Sequence, residues 1–553
     1  MVKLHALAAA AALLAAASAP AAGAAPAGLK DALQGESIGL LAADSFRLTS
    51  GKCGDCATLR QGLWYFEDDL LAVPKPAQPL SGHALQPDMV GAVRAWAGSS
   101  DTEALAHPGL VWIGSPQIFD DVAIEADGKA VRTRDGTSTR LLLVPKIATN
   151  LSYWNGSTTD FFGQRPVRMR GSLRQVDGAD AFVARTVWPK DFTIERGALP
   201  LQPLAADESL ASFVRKEDGG ATSAYSTRLL WERTPGKSGA WAGQSAIGIM
   251  LNGAQGDDDE AFGGHFAIAT GSVGKQGEWS DWVVNNFYNL DSYSEKGIVA
   301  APVPMDNYLM DINSGQQFYR PSYMLVAVLN KARTALAYQG GVQRVFNNFY
   351  RHDFQYRHAG ANCSGISLDV FKGLGWNIPE RGATSHLKAI AAYGYLSAKD
   401  RSLASGRKIY DYLTEEQIRL YPAVAFDAAG ADLLSLVGAG PGPQRQLSAF
   451  EKQLQGDVEA LVLVRIPQVP SSRAMGSAPV FSFDEFMART PPDRADWKIV
   501  PTTPRPFPER LRENVVAQEA PGVVPLPIAG IGFGGLLGIG AFIRRRRSKA
   551  QGS

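Results

Sequence analysis

Residues 361–382 read ANCSGISLDVFKGLGWNIPERG, and the reading of this stretch decides how the rest of the chain is arranged. From Cys363 the apolar residues Ile366, Val370 and Leu374 recur at steps of three and four, with Phe371 beside them, so one face of a short helix is apolar. Cys363 shares that face, in the first turn. Gly373 and Gly375 supply a stop, and Pro379 prevents continuation. A thiol in the first turn of a helix lies near unpaired backbone N–H groups and the positive end of the macrodipole, both of which favour thiolate over thiol. Cys363 is therefore the candidate nucleophile.

The stretch resembles the NlpC-type cell-wall endopeptidases, whose nucleophile sits in an Asp-Cys-Ser-Gly-Leu sequence opening a helix that ends in Leu-Gly and a proline-containing turn. The matching residues are Cys363-Ser364-Gly365, Val370-Phe371, Leu374-Gly375 and Asn377-Ile378-Pro379, with Asn362 in place of the usual Asp and Ile366 in place of the usual Leu. In that family a histidine on a strand follows the cysteine, in a phrase such as Gly-His-Val-Gly-Ile-Tyr. Downstream of Cys363 the only histidine is His386, in the helical-looking SHLKAIAAYGY. The expected phrase occurs upstream, as Gly264-His265-Phe266-Ala267-Ile268-Ala269-Thr270-Gly271, 98 residues before the cysteine. Histidine before cysteine is the order of the circularly permuted papain-like branch, which includes lecithin:retinol acyltransferase-like proteins, and the chain resembles a permuted member. The resemblance implies an α+β fold, an antiparallel papain-like sheet plus helices, preceded here by a β-rich N-terminal region.

Strands are expected at Ser226–Trp231, Ala246–Met250, His265–Thr270 and Trp282–Tyr288, followed by helices over Tyr323–Tyr338 and Val342–Tyr350 and then the cysteine helix. Alternation sets His265, Ala267 and Ala269 on one face, where small alanines let a helix approach closely. The family takes a third polar residue, which orients the imidazole, from the next strand. Asn285 and Asn286 are neighbours there and point to opposite faces; Asn285 is favoured, with strand-edge hydrogen bonding as the plain alternative. For the oxyanion, the Cys363 N–H at the helix start is the first donor, and the resemblance adds the Tyr356 hydroxyl, with Asn362 in support. His358 is the rival base to His265.

Both ends carry processing signals. Residues 1–24 contain Lys3, an Ala/Leu run and Ala22-Gly23-Ala24, the pattern of a secretory signal peptide. At the other end Val524-Pro525-Leu526-Pro527 is followed by 16 uncharged residues from Ile528 to Ile543 and by Arg544 to Arg547. This resembles the VPLPA variety of PEP-CTERM sorting signals, with Ile528 interrupting the motif, and implies an exosortase-type protease as partner. A single-pass anchor is the alternative, although the span falls short of the ~20 residues that cross a bilayer comfortably.

The 553 residues are 45% hydrophobic and 20% charged, and 55 Lys+Arg balance 54 Asp+Glu, so no nucleic-acid footprint is implied. Of three cysteines, Cys53 and Cys56 form a local disulfide in an exported chain, with a redox pair, zinc ligands or free thiols as alternatives; Cys363 is then the odd thiol. His83 and His107 stand singly in loop-like surroundings. Asp257 to Glu260 read as a solvated acidic loop, and no metal or other cofactor is called for. The expected organisation is a signal peptide (1–24), a β-rich region (25–195), the hydrolase domain (196–400) and an α/β extension (401–500) that either completes the sheet or stands alone. A proline-rich tether (501–524) and the sorting signal with its basic stop (525–547) close the chain.

The functional expectation is an exported cysteine hydrolase that cleaves an amide, in the cell wall or another peptide, through a thioester. An acyltransferase or esterase on lipid acyl groups, or a surface or matrix protein on a papain-like scaffold without turnover, are the alternatives. The expected location runs from an inner-membrane-anchored precursor to the envelope, surface or exterior.

Overall fold

The structure, a computed structural model, describes short strands at residues 41–42, 70–72 and 111–114, and the chain over 117–144, 154–195, 197–288, 300–312, 314–350 and 356–500. The N-terminal signal, Cys53, Cys56, His83, His107, the tether and the Pro525-Leu526-Pro527 motif lie outside the described residues. Those residues form a mixed α+β fold. Strands β1 (Leu41–Ala42), β2 (Leu70–Ala72) and β3 (Val111–Gly114) pair into a small antiparallel sheet.

A closed barrel follows, built from β4 (Gln117–Ile124), β5 (Ala130–Arg132), β6 (Ser138–Leu143), β7 (Val167–Val176) and β8 (Ala179–Pro189) in the order β4-β5-β6-β8-β7. Only β6 and β8 pair in parallel. The Asp135-Gly136 dipeptide turns β5 into β6, with the Thr137 N–H donating to Asp135 Oδ1 at 3.1 Å. Helix α1 (Gly156–Gly163) bridges β6 and β7, and α2 (Leu210–Arg215) precedes the second sheet.

That sheet has seven strands: β9 (Ser226–Glu232), β10 (Ser245–Asn252), β11 (His265–Ser272), β12 (Val283–Asn286), β13 (Ala301–Pro304), β14 (Ser322–Leu329) and β15 (Val458–Ile466). Their order is β13-β12-β11-β10-β14-β15-β9, and every neighbouring pair is antiparallel. The helices are α3 (Met305–Met310), α4 (Arg333–Tyr350), α5 (Cys363–Leu374), α6 (His386–Lys399), α7 (Leu403–Thr414), α8 (Gln417–Leu420), α9 (Pro422–Leu436), α10 (Ala449–Asp457) and α11 (Phe483–Arg489).

One expectation fails over most of its length. The helix expected over 323–338 forms only from Arg333: Ser322–Leu329 is strand β14, buried along its whole length, and a single helix α4 takes up Arg333–Tyr350. A continuous run such as YMLVAVL carries no period, because a strand covered on both faces is apolar at every position. Strand β15 lies between β14 and β9, so residues 458–466 belong to the same sheet as His265.

Helices α4, α5 and α9 pack on the sheet face that carries Thr270 and Leu325. Gln339 of α4 accepts from the Thr270 hydroxyl at 2.8 Å, and Gly430 of α9 lies against Leu325. Helix α3 joins the sheet to the barrel: Arg170 of β7 donates from Nε and Nη2 to Asp306 Oδ2 at 3.1 and 2.8 Å, with 0% and 1% of these side chains exposed. Trp188 meets Trp279 edge-on at 4.8 Å, and one continuous apolar core runs through both units.

A fully buried ion pair is sensitive to losing one partner, because the remaining charge stays desolvated. Asp306→Ala is therefore expected to destabilise the protein by roughly 3–5 kcal/mol in denaturant unfolding. A cost below about 1 kcal/mol, the level of an exposed pair, would show that the barrel does not depend on this contact.

Candidate active site

The first turn of α5 is shaped by three adjacent residues. Asn362 is the N-cap: its Oδ1 accepts the Gly365 N–H and the Ser364 hydroxyl, both at 2.9 Å, while its Nδ2 donates to the carbonyls of His358 and Leu420. A Cβ on Gly365 would come within 2.7 Å of the Gly360 carbonyl oxygen, so the position has room for glycine alone. With all its polar atoms engaged, Asn362 supports the turn. Cys363, 4% exposed, is held at the helix start. The helix ends at Leu374, where Gly375 adopts φ +106°.

His265 opens β11, directly after Gly264, whose φ is +74° and whose Cβ, if present, would lie 2.4 Å from the Asn252 carbonyl oxygen. The ring is 5% exposed, and its Nε2 lies 2.6 Å from Asn286 Oδ1. The residue that meets the imidazole is therefore Asn286, not Asn285. Asn285 is in register with Ile268 and faces α4, where its carboxamide exchanges two hydrogen bonds of 3.0 Å with Gln339. Alternation puts Asn286 on the opposite face, beside His265, so the face carrying His265, Ala267 and Ala269 is, contrary to expectation, not the one that α4, α5 and α9 cover. Because the carboxamide oxygen only accepts, Nε2 carries the ring proton and Nδ1 is left as the basic nitrogen.

The start of α5 packs against β11, where the Phe266 N–H lies near enough to the Cys363 sulfur to favour its thiolate; among the described residues no hydrogen bond joins Cys363 to His265. Tyr356 approaches from the other side, its hydroxyl accepting the Cys363 N–H at 3.3 Å and lying within reach of the thiol as well. Tyr288 closes the ring of contacts, 6.5 Å from both the His265 and the Tyr356 rings. His358 is exposed and lies edge-on to Tyr356 at 5.6 Å.

Beneath His265 runs a buried polar chain that no sequence signal marked. The Tyr308 hydroxyl donates to Asn252 Oδ1, and Asn252 Nδ2 donates to Ser322 Oγ at 2.7 Å. Asn252 is in register with His265 on one side and with Ser322 on the other, so adjacent strand ends carry the chain. Arg320, two residues before Ser322, is buried at the same end of the sheet.

Burial governs the protonation states. It lowers the His265 pKa to about 4, assisted by the Arg320 charge and opposed by the Asn286 hydrogen bond. Burial also pushes the Cys363 thiol up, against the Phe266 N–H, Tyr356, the Ser364 N–H and Arg320, which all favour thiolate. At neutral pH the pair is thus thiol and neutral imidazole. The thiolate expected from the helix start is not the resting form.

The acidic run is engaged in local contacts. Asp257 pairs with Arg473, Glu260 with Arg494 at 2.8 Å, and Asp259 accepts the Lys498 N–H. Among the described residues no group of His, Cys, Asp and Glu side chains is placed to hold a metal ion, and no helix is long and apolar enough to cross a membrane. Comparison with protein-family models, characterised proteins and solved structures gives no match to this chain.

Proposed function

We propose that the protein is an exported cysteine hydrolase of permuted papain-like fold that cleaves an amide through a thioester on Cys363. The observation that carries the reading is the packing of α5, with Cys363 at its start, against β11, whose first residue, His265, is held through Nε2 by Asn286. His265 Nδ1 takes the thiol proton as sulfur attacks the carbonyl carbon, and Asn286 stabilises the imidazolium that forms. The oxyanion is met by the Tyr356 hydroxyl and the backbone N–H groups of Cys363 and Phe266. The imidazolium returns its proton to the leaving amine. Water, activated by the same Nδ1, then releases the acid and restores the thiol.

A peptide of the cell envelope is the substrate proposed first, with transfer of an acyl group from an ester as the related chemistry. A second reading, a surface scaffold without turnover, is favoured by the burial of the thiol and by the engagement of its N–H with Tyr356. The terminal patterns support export and removal of the C-terminal segment near Pro525-Leu526-Pro527.

Two outcomes test this function. With peptidoglycan peptides as substrate, Cys363→Ala abolishes hydrolysis, His265→Ala lowers it by about 10²–10⁴-fold, and His358→Ala leaves it within a few-fold. The acid limb of kcat/KM for the wild type lies near 4, because His265 Nδ1 stays unprotonated above that value. Full activity of Cys363→Ala, or an acid limb at the ordinary histidine value of about 6.5, would overturn the assignment. Separately, intact mass of the mature protein from its host is expected to lack Arg544 to Arg547; a species retaining Ser553 would mean that the segment is an anchor.

A further inference from the structure

The most unusual group near the proposed nucleophile is Arg320. Its side chain is buried, only 5% of the residue being exposed, yet among the described residues no carboxylate lies within ion-pair distance of it. Nε donates to Gln316 Oε1 and Nη1 to the Gly253 carbonyl, both at 3.1 Å. Of the five N–H donors of a guanidinium, these contacts use two, and among the described residues the Nη2 amino group makes no hydrogen bond. Buried guanidinium groups are ordinarily neutralised by an acid, as Arg170 is by Asp306 in this same protein.

The position of Arg320 ties it to the site. Gly253, whose carbonyl it holds, directly follows Asn252, which is in register with His265. The guanidinium exerts its charge on Tyr308, His265 and Cys363, and it feels the charges of Tyr288 and of Asp258, the acid that reaches it from beyond ion-pair distance. Gln316, through Nε, and Gly253, through Nη1, fix the guanidinium plane and leave Nη2 as its open amino group. Paired N–H donors on a fixed plane match the two oxygens of a carboxylate, a geometry that an ammonium group cannot reproduce.

We infer that Arg320 is a substrate-binding residue that clamps a carboxylate next to the scissile carbonyl, so that the site takes acyl donors carrying a negative charge beside the bond that is cut. This rests on the reading of Cys363 as nucleophile. The substrate's carboxylate supplies the counter-ion that the buried Arg320 charge lacks in the free protein, which couples binding to recognition of that charge. A neutral analogue leaves the guanidinium unpaired and is rejected, as buried polar groups left without partners reject poor substrates.

Two small alkylating reagents of nearly equal size, iodoacetate and iodoacetamide, differ in the charge that matters. Each forms an Sγ–C bond as the C–I bond breaks, with iodide leaving and the thiol proton passing to His265. Labelling at Cys363 is read by peptide mass mapping, which separates it from Cys53 and Cys56. The ratio of the iodoacetate to the iodoacetamide rate is expected to exceed that of free cysteine by at least about tenfold and to fall by a similar factor in Arg320→Gln; the ratio cancels any change in the intrinsic reactivity of the thiol. Arg320→Lys keeps the charge without the fork and restores only part of the preference. Acetate, and not acetamide, protects wild-type Cys363 against iodoacetamide, a result that depends on no variant folding. A ratio equal to that of free cysteine with unprotected, reactive Cys363 would overturn the clamp while leaving the nucleophile in place; a Cys363 inert to both reagents would remove both.

Discussion

The approach of α5, with Cys363 at its start, to β11, which begins at His265, is the constraint on which the site depends. Both chain segments are built for it. Gly264 turns into β11 through a left-handed conformation under the Asn252 carbonyl, and Gly365 leaves room for the Gly360 carbonyl against the helix. Asn362 then ties the turn to the loop before it and to the end of α8. The helix layer of α4, α5 and α9 covers one face of the sheet, and the barrel joins it through α3, where Arg170 meets Asp306.

Two opposing effects act on the thiol, and their sizes decide its state. A helix start favours an anion by about 0.3–1 kcal/mol at an exposed position and up to ~2 kcal/mol when partly buried. Removing a thiolate from water costs several kcal/mol, of order 1.4 kcal/mol for each unit by which the pKa rises. Cys363 and His265 are both nearly sealed from solvent, so burial prevails and both rest neutral. Arg320 works in the same sense on the histidine and in the opposite sense on the cysteine. In the proposed mechanism, proton transfer to Nδ1 therefore belongs to the attack on a carbonyl, when Asn286 and the oxyanion donors become effective together.

Much of this was legible in the residues. The spacing of Ile366, Val370 and Leu374 marks α5, glycine marks its end, and the runs at Ser226, Ala246 and His265 mark three strands of the sheet. Strand β14 was not legible, because a strand covered on both faces has the same uniform apolar character as a buried helix. The choice between Asn285 and Asn286 turns on a one-residue register that only pairing with β11 resolves, at Ile268 opposite Asn285. Arg320, Tyr308 and Asn252 carry no motif; the end of β10, the chain entering β14 and helix α3 bring them together, and a linear pattern does not record that.

The central claim is that His265 is a neutral base with its proton on Nε2 and its Nδ1 free for the Cys363 thiol. Nitrogen-15 NMR of histidine-labelled protein, with the His265 signals identified by their loss in His265→Ala, reads tautomer and charge directly. The account predicts an Nε2–H tautomer at neutral pH that gains its second proton only near 4. An Nδ1–H tautomer, or an imidazolium at pH 7, would contradict it.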